Sequence, residues 1–153
     1  MAIEAPLSKY KRTNIKIYIA VLAIAAIWFG YDGYFNKKFK EKNTDADGKP
    51  NSTLVFNQKA PPFFVGGAVL FGAYLYIIRN RKIVADEKEL VVSSREKIPY
   101  DAVQKIDKTH FEKKGFFTIT YTNVDGGEAN RKLSNRAYDN LDAILEHLVS
   151  EIS

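Results

Sequence analysis

The chain has 153 residues, with 23 Lys and Arg, 18 Asp and Glu, and no cysteine. This length allows one compact soluble domain beside any membrane segments, and the lack of cysteine excludes disulfides and thiolate metal sites. Residues 1–78 carry 10 Lys and Arg against 5 Asp and Glu, whereas residues 79–153 carry 13 of each sign. The C-terminal part therefore lacks the basic surface of a nucleic-acid binder, and we expect no nucleic-acid partner.

Residues 1–14 form a basic N-terminal tail, and residues 15–35 predict transmembrane helix 1. The 21 residues of this run are enough to cross a hydrocarbon core of about 30 Å. Aromatic side chains, which favour the headgroup level, crowd its C-terminal end. They are Trp28, Tyr31, Tyr34 and Phe35. The alternative is a cleaved signal peptide ending at Ala23 and Ala25, but the apolar run continues beyond this pair, so we favour retention.

The second apolar run, residues 60–78, has no charged residue and predicts transmembrane helix 2. Pro61 and Pro62 mark its beginning, and a cluster of basic residues follows its end. Two runs of this length separated by a polar segment predict a hairpin in the lipid bilayer.

The polar loop between the two predicted spans, residues 36–59, contains one candidate metal site. Asn43, Asp45 and Asp47 occupy positions one, three and five of a calcium-loop pattern, and a glycine follows at position six. Position twelve is Leu54 instead of the usual glutamate, and the flanking sequence predicts no helices. We interpret the segment as a solvated turn and keep calcium binding as the lesser alternative.

Basic residues flank both predicted spans and bear on topology and lipid contacts. Four lie before or at the start of the first span and three follow the second at once, whereas the six in the loop are partly balanced by acidic residues. Because basic flanks stay in the cytoplasm, we expect a multi-pass protein of the cytoplasmic (inner) membrane with both termini cytoplasmic. Arg79, Arg81 and Lys82 are then candidate contacts for lipid headgroups. A simple stop-transfer flank is the alternative explanation of these three.

After Lys82 the pattern changes from continuous apolar runs to short alternating ones, which predicts a meander of strands. The predicted strands are residues 83–85, 90–93, 116–122 and 128–133. An apolar stripe of helical spacing from Tyr138 to Ile152 predicts a C-terminal helix, with Ser134 or Asn135 as its cap. We expect residues 79–153 to be an α+β soluble domain, and residues 82–153 to fold alone.

Two motifs connect this region with a known family. The segment Lys97–Ile106 reads KIPYDAVQKI, and a Phe-rich strand, a turn and a Leu-Ser-Asn … Tyr-x-x-Leu helix entry follow it. The pattern resembles the bacterial pleckstrin-homology-like domains over residues 82–153. The resemblance implies a small curved antiparallel sheet capped by a C-terminal helix, often attached to membrane spans, although a full domain of this family has more strands than the sequence predicts.

We find no catalytic motif in the sequence. His110 and His147 have no partners at metal-ligand spacing, and phosphate-loop and nucleophile-elbow patterns are absent. We expect no enzyme activity, no cofactor and no small-molecule substrate. The resemblance implies a membrane-anchored interaction or oligomerisation module with a protein partner or a second copy of itself. The alternatives are a small accessory subunit of a larger membrane complex, or a lipid or calcium sensor.

Overall fold

A computed structural model describes residues 2–153 and divides the chain into two compact units. The helical unit comprises residues 13–77. The α+β unit combines the N-terminal residues through Arg12 with residues 78–153. Antiparallel sheets and a C-terminal helix in the second unit confirm the predicted α+β layout.

Four helices account for most of the first unit. The longer two are α1 (Lys9–Gly30), which continues as a π-helical turn (Tyr31–Phe35), and α4 (Pro61–Ile78); α2 (Lys37–Lys42) and α3 (Ser52–Lys59) are short. Two segments of 27 residues, Lys9–Phe35 and Ser52–Ile78, are long and apolar enough to cross a membrane. Only 6% of the most apolar window of each is buried, so their side chains are not packed into a soluble core.

Aromatic side chains of the helical unit pack α1 against α3 and α4. Phe29 stacks on Phe64 with ring centroids 5.5 Å apart, and it meets Phe56 edge-on at the same distance. Tyr18 contacts Phe71 further along the pair, at 5.7 Å. The two long helices therefore pack against each other as a helical hairpin. The membrane crossing that the sequence predicts for them stays a prediction.

The polar loop contains two helices, so the expectation that no helix flanks the calcium-like segment is wrong. The Asn36 side chain accepts the Phe39 N–H at the start of α2, and the Asn51 side chain accepts the Leu54 N–H at the start of α3. Each asparagine satisfies an N–H that the first turn leaves unpaired. We missed both helices because they are short and have no clear apolar periodicity.

The described residues of the α+β unit form seven strands in two antiparallel sheets, ordered β1-β2-β3-β4 and β5-β6-β7. The strands are β1 (Ile3–Pro6), β2 (Lys82–Ala85), β3 (Glu89–Ser93), β4 (Glu96–Pro99), β5 (Val103–Asp107), β6 (Phe116–Thr122) and β7 (Glu128–Ser134). A 3₁₀ turn (Tyr100–Ala102) joins β4 to β5, α5 (Phe111–Lys114) precedes β6, and α6 (Leu141–Ile152) ends the chain. The predicted strands correspond to β2, β3, β6 and β7.

The N-terminal tail is not merely a basic flank, because its first residues form a strand of the sheet. β1 pairs with β2 in antiparallel register, with Ala5 opposite Ile83 and Pro6 opposite Lys82. Pro6 is tolerated because β1 lies at the sheet edge, where a missing N–H breaks no ladder bond. The α+β unit therefore contains residues from both sides of the helical unit, which argues against residues 82–153 folding alone.

One apolar core holds the α+β unit together. Its fully buried members come from both sheets and α6: Ala5, Ile83, Ala85, Leu90, Ile98, Phe117, Ile119, Leu133, Leu141, Ile144 and Leu148. The predicted cap of α6 is wrong, since the helix begins at Leu141 after Asn140 in the left-handed region (φ 60°). Ser134 instead ends β7, and Tyr138 forms an isolated bridge with Leu7.

Candidate functional site

A groove of about 640 Å³ lies in the α+β unit where β2 begins and β3 turns into β4. Its cationic lining residues come from three places in the sheets. They are Arg81 and Lys82 at the start of β2, Arg95 in the β3–β4 turn, and Arg131 in β7. Asn80, Ser93, Ser94 and Tyr138 complete the polar lining. We call this surface the cationic groove.

A serine shapes the turn at one wall of the groove. Ser93 lies opposite Glu96, so only Ser94 and Arg95 connect the two strands. The Ser93 Oγ accepts the backbone N–H of Arg95 at 3.3 Å and of Glu96 at 3.1 Å. This local bond is typical of serine in tight turns, and it leaves the hydroxyl proton of Ser93 available to a ligand.

Two of the four groove cations are paired with carboxylates outside the lining. Arg131 Nη1 lies 3.1 Å from Glu96 Oε2, and Lys82 Nζ lies 2.5 Å from Glu4 Oε1. Glu96 also accepts the Tyr121 hydroxyl at 3.3 Å. Burial, followed by the charge of Glu96, raises the pKa of Tyr121 above its ordinary value. These contacts fix the positions of Arg131 and Lys82.

The other two cations, Arg81 and Arg95, have no carboxylate within ion-pair distance in residues 2–153. None of the residues lining the groove is acidic. Residues 79–153 as a whole carry as many acidic as basic groups, so the groove concentrates positive charge within a neutral region. A concave surface of one sign focuses its field on an approaching ion of the opposite sign.

The structure gives different roles to the three predicted headgroup contacts. Arg81 lines the groove, Lys82 lines it while paired with Glu4, and the Arg79 carbonyl accepts the Arg12 Nη2–H at 3.4 Å. Sequence reasoning missed Arg95 and Arg131, which join Arg81 only through the sheet pairing. No spacing in the sequence signals that juxtaposition.

Of the three calcium candidates, Asn43 uses its side chain in local hydrogen bonds. Asn43 Nδ2 donates to the Phe39 carbonyl, and Asn43 Oδ1 accepts from Asn51 Nδ2 at 3.2 Å. The Asp45 carbonyl closes a turn with the Gly48 N–H, and that glycine has a φ of 75°. Within the described chain, no group of three or more His, Cys, Asp or Glu residues is placed to hold a metal ion, and this includes Asp45 and Asp47.

Neither histidine belongs to the cationic groove. His147 meets the Tyr100 ring edge-on, with centroids 5.9 Å apart, and the Tyr100 hydroxyl donates to the Asp86 carbonyl at 2.6 Å. Burial, with a smaller contribution from Glu151, raises the pKa of Tyr100 to about 12. His110 lies against Phe116 at 5.3 Å. These contacts attach α6 and α5 to neighbouring elements.

Compared with known proteins, the chain matches no family model, no curated protein and no solved structure. The structure itself therefore defines the class. It is an α+β protein that carries two helices long and apolar enough to cross a membrane.

Proposed function

We propose that the protein is a membrane-anchored, non-catalytic interaction module of the pleckstrin-homology-like type. In this proposal the helical hairpin crosses the inner membrane twice, and the α+β unit lies in the cytoplasm. The module assembles with a second copy of itself or with another membrane protein.

The pairing of β1 with β2 carries this proposal. β1 ends at Pro6 and β2 begins at Lys82, and these two residues are partners in the ladder. Paired antiparallel strands are about 5 Å apart, so the chain must leave and re-enter the domain at one place. A chain that crosses a membrane between two such points crosses it an even number of times, which favours the two-span hairpin.

The strand count supports the family assignment. β1 brings the total to seven, in sheets of four and three strands, with α6 over the core. The sequence alone fell short of the strand number of a full domain in this family. The KIPYDAVQKI segment that carries the resemblance supplies Ile98 and Tyr100 to the core, which accounts for its apolar and aromatic positions.

The distribution of exposed apolar side chains supports a lipid environment for the helices. Large exposed apolar residues are numerous in the helical unit, whereas in the described part of the α+β unit they are Tyr10, Val124 and Ile152 alone. Burying the helix surface in lipid removes it from water at roughly 25 cal/mol per Å² of apolar area. The α+β unit then meets its partners through polar surface.

The test is the mass and composition of the full chain extracted in detergent from native membranes. We expect a defined oligomer or a stoichiometric partner protein. A monomer that brings no other protein contradicts the proposal. The second candidate function is that of an accessory subunit, which packs against a larger complex through its hairpin. Exchanging the hairpin for that of an unrelated two-span protein distinguishes the two candidate functions. An interaction module keeps its partner after this exchange, whereas such a subunit loses it.

A further inference from the structure

We propose that the cationic groove binds a phosphate group, either free or on a lipid headgroup. This goes beyond the interaction role above and does not depend on it, because it rests on the groove alone. The chemistry required is that of a small, compact anion with several oxygen acceptors.

The first step of the argument is the number of donors that the groove leaves available. Arg81 and Arg95 have no acidic partner among residues 2–153, and each guanidinium presents five N–H donors. Arg131 uses Nη1 for Glu96 but retains further donors. Planar guanidinium groups bind phosphate oxygens in pairs, which makes arginine the usual residue for such sites.

The second step concerns the hydroxyl groups. Ser93 accepts two backbone N–H bonds through Oγ, so its proton is oriented away from them and is free to donate. Ser94 follows at the tip of the turn, and its side chain also lines the groove. Hydroxyl and guanidinium donors around one concavity satisfy several phosphate oxygens at once. A carboxylate ligand has only two oxygens and uses fewer of these donors.

The third step is rigidity. The Ser93 bonds hold the β3–β4 turn, the bridge to the half-buried Glu96 holds Arg131, and the exposed pair with Glu4 neutralises Lys82. Fixed donors lose little conformational entropy when a ligand binds. Neutralisation of those two cations also lowers the local repulsion that Arg81 and Arg95 experience.

The position of Arg81 close to the end of α4 makes a lipid headgroup one of the two possible sources of the bound phosphate. Arg81 follows the last residue of α4, Ile78, by three positions. An extended chain spans at most about 3.6 Å per residue, so the Arg81 backbone stays within about 11 Å of that helix end. If α4 ends at the membrane interface, Arg81 can reach headgroup phosphates. A soluble phosphate compound can also reach the groove from solution, because Arg81, Ser94 and Arg95 in its lining are exposed.

The test uses the full chain in nanodiscs and follows amide shifts of residues 93–96 and 131. One arm titrates inorganic phosphate, with chloride at equal ionic strength as reference, into discs of phosphatidylcholine. The other arm replaces part of the phosphatidylcholine by phosphatidylglycerol or phosphatidic acid. We expect saturable shifts in at least one arm, and the arm that responds identifies the source.

The variant is Arg81→Gln with Arg95→Gln, and the matched control is Lys113→Gln with Lys114→Gln, which removes the same charge from exposed residues outside the groove. All four side chains are exposed, so both proteins should fold. We expect affinity to fall about tenfold or more in the groove variant, because it loses two guanidinium groups and their charged hydrogen bonds. The control should stay within twofold. Equal losses in both proteins, or no saturable shift in either arm, overturn the proposal.

Discussion

Ala5 and Ile83 lie opposite each other in the first strand pair, and both are completely buried although the whole helical unit separates them in sequence. Ala5 contacts the same core as Phe117 and Leu148. The N-terminal strand is therefore part of the domain core, and the helical unit is inserted in the sequence between two neighbouring strands.

Replacing Ala5 by Asp should destabilise the α+β unit strongly. A carboxylate at this position is buried without a partner, at a cost of about 3 to 5 kcal/mol. Hydrogen exchange of the β2 and β3 amides, measured by mass spectrometry on the full chain, should speed up accordingly. The control is Ala2→Asp, the same change at an exposed residue, which should alter stability by about 0.5 kcal/mol or less. Equal exchange in the two variants would show that β1 is dispensable.

A soluble domain should form only when β1 is supplied. We expect residues 82–153 alone to give poorly dispersed amide spectra, because Ile83 and Ala85 lose the strand that covers them. A fusion of residues 2–8 through a short Gly-Ser linker to residues 81–153 should fold, since Leu7 and Arg81 are joined by a backbone hydrogen bond of 3.0 Å and the linker has little distance to span. Dispersed spectra from both fragments would contradict this prediction.

The sequence predicts those elements whose pattern lies within one continuous stretch of the chain, and it does not predict features that depend on the pairing of distant strands. β6 was predicted with its observed bounds because apolar residues alternate with threonines over seven positions, and α4 was predicted to within one residue because its apolar run is unbroken. β1 is too short to show a period. The cationic groove depends on Arg95 and Arg131, whose proximity to Arg81 arises from strand pairing that no local pattern encodes.

Gly33 should be intolerant of a side chain. A Cβ at this residue would lie 2.7 Å from the Asn57 carbonyl oxygen and 3.0 Å from the Gln58 N, and backbone atoms do not yield easily. We expect Gly33→Ala to break the bond from Gln58 Nε2 to the Gly33 carbonyl and to cost about 1 to 3 kcal/mol. Faster exchange of the α3 amides in detergent micelles is the readout.

The control for Gly33 is Gly66→Ala in α4. A Cβ there has no neighbour within 4 Å, and alanine favours the helix by up to about 1 kcal/mol over glycine. Exchange in α3 should therefore be unchanged in this variant. If exchange of the α3 amides were the same in Gly33→Ala as in Gly66→Ala, the close approach of Gly33 to Asn57 would not contribute to stability.

Tyr100 should make stability depend on pH in the alkaline range. Its pKa in the folded domain is raised from 10.0 to about 12, so the folded state holds the proton more tightly than the unfolded state. The contribution is fully present below pH 10 and is lost as the pH rises from there toward 12. Tyr100→Phe removes the bond to the Asp86 carbonyl, costing about 1 kcal/mol near neutral pH.

The measurement is urea unfolding of the full chain in micelles at several pH values, followed through the α+β unit. The difference in unfolding free energy between native protein and Tyr100→Phe should shrink between pH 10 and 12, because only the native protein has this titrating group. Lysines titrate in the same range in both proteins, so their effect cancels in the difference. A difference that stays constant across this range would show that the hydroxyl does not titrate with folding.

The orientation in the membrane is open to a direct test, since the native chain has no cysteine. Ser52 is exposed at the start of α3 in the helical unit, and Ser94 is exposed at the β3–β4 turn of the α+β unit. Each is replaced singly by cysteine and treated in intact cells with a membrane-impermeant thiol reagent. We expect Ser52→Cys to react and Ser94→Cys to stay protected until the cells are permeabilised.

This expectation follows from the charges that flank the two apolar helices. The start of α1, with Lys9, Lys11 and Arg12, and the chain after α4 both belong to the α+β unit. If the two apolar helices cross the membrane, the basic residues of these two segments act together on one side of it. The loop at the other end has basic residues partly balanced by Glu41, Asp45 and Asp47. The reverse labelling pattern would place the α+β unit outside the cytoplasm. Labelling of both cysteines in intact cells would mean that the two helices do not cross the membrane as a hairpin.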